Sequence, residues 1–60
     1  MPVVEISLWE GRTREQKKRI AKAVTDAFVK EGTPAELVHV IFYDVKKADW
    51  CIAGKMCDEP

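Results

Sequence analysis

The sequence predicts an α/β fold: a β-α-β unit with parallel strands, a short C-terminal hairpin, and a sheet completed by oligomerisation. Three observations carry that expectation. Apolar residues alternate with a period of two over residues 3–9 and again over 38–45. Between these runs, Ile20, Val24, Ala27 and Phe28 recur at helical spacing. Finally, 47% of the 60 residues are hydrophobic. A chain of this size buries only about 60% of its unfolded surface, so that apolar content needs partners to cover it.

The first strand is read over residues 3–9. Val4, Ile6 and Leu8 fall on one face, in phase with Pro2, and Val3, Glu5, Ser7 and Trp9 fall on the other. Glu10-Gly11-Arg12 is a turn. Thr13-Arg14-Glu15-Gln16 fits a capping box, with a hydroxyl at the cap and glutamine three residues on. A helix is expected from about Arg14 to Glu31, with Ala23 beside its apolar stripe and Gly32 as a left-handed stop. Thr33-Pro34-Ala35-Glu36 repeats the cap logic, with proline at the first helical position of one short turn. The second strand spans residues 38–45, with Val38, Val40 and Phe42 on one face and His39, Ile41, Tyr43 and Val45 on the other. Both faces are largely apolar, so both should be covered. The tail carries Trp50, Ile52 and an Ala53-Gly54 turn signal, expected as a hairpin or as an arm on a neighbouring chain.

Strand, helix, strand implies a right-handed parallel crossover. Two parallel strands leave two open edges that must be paired or covered. A second copy could extend the sheet to four strands with two helices on one face, leaving the opposite face for further copies. Residues 1–60 therefore read as one domain of an obligate homo-oligomer.

Net charge is zero, so no global field draws the protein to nucleic acid or to a membrane. No apolar run is long enough to span a bilayer, and no signal-peptide pattern opens the chain. The expected location is the cytoplasm. The segment Arg12 to Lys22 holds six basic residues and one acid. It is read as a solvated helix face with Glu15 and Arg19 paired at i,i+4. Cys51, Cys57 and the single His39 match no common metal spacing, so no metal or other cofactor is expected.

Pro2 carries the most specific chemistry. Removal of Met1, favoured when a small residue follows, leaves a secondary amine that can take up and release a proton. In an apolar pocket its charged form is disfavoured and its pKa falls toward neutrality. That suits general acid–base catalysis.

A terminal proline, followed by Leu8-Trp9-Glu10-Gly11-Arg12-Thr13-Arg14-Glu15-Gln16-Lys17, then Val38-His39-Val40-Ile41, then Trp50-Cys51-Ile52-Ala53-Gly54, resembles the 4-oxalocrotonate tautomerase family over nearly the whole chain. The matching family segments are "LEGR(S/T)xEQK", "VxVI" and "FxIGG". The resemblance implies a hexamer built as a trimer of dimers, with sites assembled from different chains. It implies Pro2 as the catalytic base in an enol–keto interconversion of a small anionic substrate, Arg12 as the carboxylate ligand, and Trp50 as the pocket wall. At His39 the best-known members carry an arginine that stabilises charge on a substrate oxygen. Histidine can donate a hydrogen bond there but is only partly charged near neutral pH, which weakens the case for a dicarboxylate. Lys46, Lys47 and Lys55 are the other cations that could supply charge. The same proline serves hydratases and decarboxylases of the superfamily, and an inactive oligomeric module is the further alternative.

Overall fold

A computed structural model describes residues 1–60. Strand β1 (Val3–Trp9) leads through a turn into helix α1 (Arg14–Lys30), and a short 3-10 turn (Ala35–Leu37) precedes β2 (His39–Val45). A second 3-10 turn (Lys47–Asp49) precedes a hairpin of β3 (Cys51–Ile52) and β4 (Lys55–Met56). The fold is the expected β-α-β unit with a hairpin. Strands β1 and β2 pair in parallel, in a register running from Val3 opposite His39 to Trp9 opposite Val45.

Alternation sets the two faces of this sheet. Val4, Ile6 and Leu8 lie half-buried on the helix side, across from Val40, Phe42 and Asp44. Val3, Ile41, Tyr43 and Trp9 lie on the bare side, each at least 40% exposed.

The helix begins where the sequence says it should. Thr13 Oγ1 accepts from the Gln16 N–H at 3.1 Å, and Gln16 Oε1 accepts from the Thr13 N–H at 2.9 Å. Both bonds satisfy donors that a helix N-terminus otherwise leaves free. It ends in a Schellman pair: Thr33 N–H to the Phe28 carbonyl and Gly32 N–H to the Val29 carbonyl, both at 3.0 Å. Gly32 sits at φ 101°, where a side chain would be strained.

Three details depart from the pattern reading. The half-buried stripe is Gln16, Ile20, Val24 and Phe28, flanked by Lys17, Ala21 and Thr25, while Ala23 and Ala27 face solvent. The ridge alone leaves the choice of flank open. The ion pair between Lys17 Nζ and Asp44, 2.7 Å from Oδ1 and 2.7 Å from Oδ2, goes with a helix that turns the Lys17 side toward β2. Pro34 caps the 3-10 turn rather than standing inside it, with no side-chain cap. The Glu15–Arg19 pair does not form either; the helix holds Lys22–Asp26 at 2.8 Å instead. Exposed i,i+4 pairs are worth only a few tenths of a kcal/mol, so sequence spacing decides little between them.

The isolated chain has no finished core. None of its residues is buried, and its accessible surface is 4781 Å². A folded monomer of 6.8 kDa would expose about 4,000 Å². The radius of gyration is 14.6 Å, with extents of 45 × 23 × 13 Å, against about 10 Å for a compact chain of this length. The single chain is thus both more elongated and more exposed than a compact monomer of its length.

Candidate active site

Pro2 lies half-buried just before β1. Its carbonyl accepts the His39 N–H at 3.0 Å, and the next strand pair sets Val3 opposite His39. Pro2 and His39 thus mark one end of the strand pair. His39 is exposed, and only its backbone is tied to Pro2.

Arg12 and Trp50 belong to the other end. Arg12 is exposed in the turn after β1, where Gly11 at φ 117° reverses the chain. Trp50 follows the second 3-10 turn. Its ring meets that of Trp9 edge-to-face, with centroids 6.0 Å apart and planes at 78°, an arrangement that the ring quadrupoles favour. Lys47 Nζ lies 4.8 Å from the Trp9 ring centroid, within cation–π range. Beside this cluster Trp9, Glu10, Gly11, Arg12, Gln16 and Lys47 line an open groove of about 360 Å³.

The four residues singled out from the sequence therefore fall into two groups. Seven steps along an extended strand separate Pro2 from Trp9, roughly 23 Å at 3.3 Å per residue. A proton transfer needs contact at about 3 Å. Within one chain the proline cannot reach a molecule held by Arg12.

The tautomerase enzyme family model matches residues 2–59. The chain belongs to the tautomerase family. A 2-hydroxymuconate tautomerase of Comamonas testosteroni is 43% identical over 60 residues, covering 98% of this chain and 95% of the relative. Among solved structures, one from a study of the 4-oxalocrotonate tautomerase isozymes of Methylibium petroleiphilum superposes with a TM-score of 0.87 at 42% identity, covering 93% of this chain and 92% of its own. A heterohexamer 4-oxalocrotonate tautomerase from Chloroflexus aurantiacus gives 0.89 at 30% identity, covering 98% and 97%. The β-α-β unit and hairpin of this tautomerase family member are thus the fold of its relatives.

Trp9 and Lys47 line the groove although the sequence alone assigns neither of them a definite site role: Trp9 stands inside the Leu8–Lys17 segment, and Lys47 is one of three candidate cations. The signal for Trp9 was its place directly before Glu10-Gly11-Arg12, where the last strand residue must border the turn. No local pattern marks Lys47, because its position depends on the 3-10 turn that carries it back over Trp9.

Proposed function

We propose that this chain is a tautomerase that interconverts enol and keto forms of a 2-oxo acid, with the Pro2 amine as general acid and base after Met1 is removed. The observation that carries this reading is the family match, which begins at Pro2. Neutral Pro2 takes the proton from an enol hydroxyl, or from the carbon beside a carbonyl. The prolinium returns it elsewhere in the conjugated system, so the product is an isomer and no atom is gained or lost. An amine that must be neutral to take the proton, and is cationic only while it carries it, is suited to an apolar setting, which favours its unprotonated form.

The other roles follow from chemistry and from the resemblance. Arg12 offers a planar fork for a carboxylate. Trp50 keeps water from the amine. His39, beside Pro2, donates a hydrogen bond to a substrate oxygen. Met1 is 79% exposed, so the fold of the single chain does not shield it from removal.

The site in this reading joins the Pro2 end of one chain to the Arg12 end of another. The roughly 23 Å between the two ends, the surplus surface and the open strand edges all support assembly. By its resemblance we assign a homohexamer, a trimer of dimers, working in the cytoplasm on a small anionic substrate without a cofactor.

The test begins with the intact mass of the protein produced at native level in its own host, expected to lack Met1. Ketonisation of an enol-pyruvate is then followed for three proteins. Pro2→Ala should lose about 10²- to 10⁴-fold in kcat, the usual range for general acid–base groups. Arg12→Ala should abolish the preference for the carboxylate over an uncharged analogue. A retained Met1 would overturn the proline mechanism. Unchanged turnover in Pro2→Ala would do the same. A product that gains water or loses carbon dioxide would move the protein to a hydratase or decarboxylase.

A further inference from the structure

The groove at the Arg12 end holds two cations, and neither has a carboxylate within ion-pair distance. The two salt bridges of the chain are Lys17–Asp44 and Lys22–Asp26. Arg12 and Lys47 line the same concave surface without such a partner, and Glu10 is the only acid along it. The capping box engages the N–H groups of Thr13 and Gln16, and Arg12 and Lys47 are the positively charged side chains along the groove. Lys46 and Lys55 do not line the groove. Lys47 does, held over the Trp9 face at 4.8 Å, and Trp9 is itself braced by Trp50.

We propose that Lys47 is a second substrate-binding cation, acting with Arg12 on one carboxylate of the substrate; this rests on the tautomerase reading above. Charge recognition is then concentrated at the groove end. The Pro2 end, with His39 as its polar neighbour, receives the uncharged carbonyl or enol. The ligand class is an acid whose carboxylate lies in the Arg12–Lys47 groove with its conjugated part reaching toward the proline of another chain. Arg12 supplies two parallel hydrogen bonds, while Lys47 supplies a point charge from the side. An aromatic face stabilises an ammonium without neutralising it, so Lys47 stays available to an incoming anion.

The kinetic test uses Lys47→Met, which keeps an apolar stem and removes the charge. KM for an enol-pyruvate should rise about tenfold, the scale expected for one charge-assisted contact that is partly open to water. The value of kcat should hold, and kcat/KM for the uncharged analogue should stay unchanged. Lys47→Arg should restore most of the loss, and Lys46→Met should have no effect. Equal losses on charged and uncharged substrates would overturn the proposal, because they mean that Lys47 only holds Trp9 in place. No loss on either would also overturn it.

A second measurement does not depend on turnover. Both tryptophans sit at this end, so tryptophan emission of the assembled protein is titrated with succinate, which cannot tautomerise by this chemistry. The wild type should respond and saturate; Lys47→Met should respond only at about tenfold higher concentration; and succinamide should give no response. An identical response in both proteins would overturn the role of Lys47 even if the enzyme proves to be a tautomerase. A lysine-dependent response in a protein that turns nothing over would leave the groove standing and remove the catalytic reading alone.

Discussion

Ala53 occupies the one position in the chain where a non-glycine residue has a positive φ, 53°. Gly54 follows at φ 81°, and the two join β3 to β4 in the geometry of a primed two-residue turn. Side chains with a Cβ resist this region, at a cost of roughly 1–2 kcal/mol per residue. Part of that cost is offset because alanine has less freedom to lose on folding than glycine. Ala53→Gly should therefore stabilise the protein by about 0.5–1 kcal/mol and raise Tm by a few degrees, checked by thermal unfolding at fixed protein concentration. A lower Tm would mean that the turn does not hold this conformation in solution. The same scale explains why Pro2, Arg12, His39 and Trp50 stand out in the sequence as candidates. Each is a rare chemical type at a marked position: a terminus, a turn, a strand start, a tail. Lys47 is one of several lysines, and no spacing rule distinguishes it from Lys46.

Among the elements, α1 is the best specified. Its cap, stripe and stop are written in consecutive residues, and the structure ends it within one residue of the expected boundary. The capping box has a direct consequence. Thr13→Ala removes one acceptor at the N-terminus of α1 and should cost about 1 kcal/mol of stability, read as a lower denaturation midpoint with an unchanged slope. Thr13→Ser should recover it. A neutral Thr13→Ala would mean that water or another chain caps the helix in the assembly. The strands were equally plain, since alternation fixes their faces at once. The flank of the helix stripe was not, because Ala23 and Ala27 are apolar and occupy the side opposite Ala21 and Thr25. Apolar character pointed one way, and the contact of Lys17 with Asp44 lies the other way.

At the scale of the whole molecule, the absence of a buried residue is the governing fact. A domain is stable only by a small margin between large opposing terms, and a chain with no finished core has little from which to draw that margin. Folding and association should then be one equilibrium. Tm should rise measurably over about a hundredfold increase in protein concentration, as it does for any oligomer without a stable monomer. At the lowest concentration, helix content read by circular dichroism should be lost together with mass read by sedimentation. A Tm independent of concentration would show that the single chain folds alone. Composition made the need for partners legible: 47% hydrophobic residues in a chain of this size cannot be covered by one helix. Which surfaces meet was not legible, because alternation marks a face as apolar without naming its neighbour.

The distance between the two ends of β1 also bears on heredity. If each site takes its proline from one chain and its cations from another, every chain serves two sites. A chain damaged at a single end then spoils a site whose remaining half is sound, while its own sound end still serves elsewhere. In a cell expressing a normal and an altered gene together, the defect would spread through mixed assemblies and act as a partly dominant trait. A duplicated gene meets the reverse opportunity. One copy can keep the proline end and the other the groove end, and two lineages that are each inactive alone would be preserved together by the site they share.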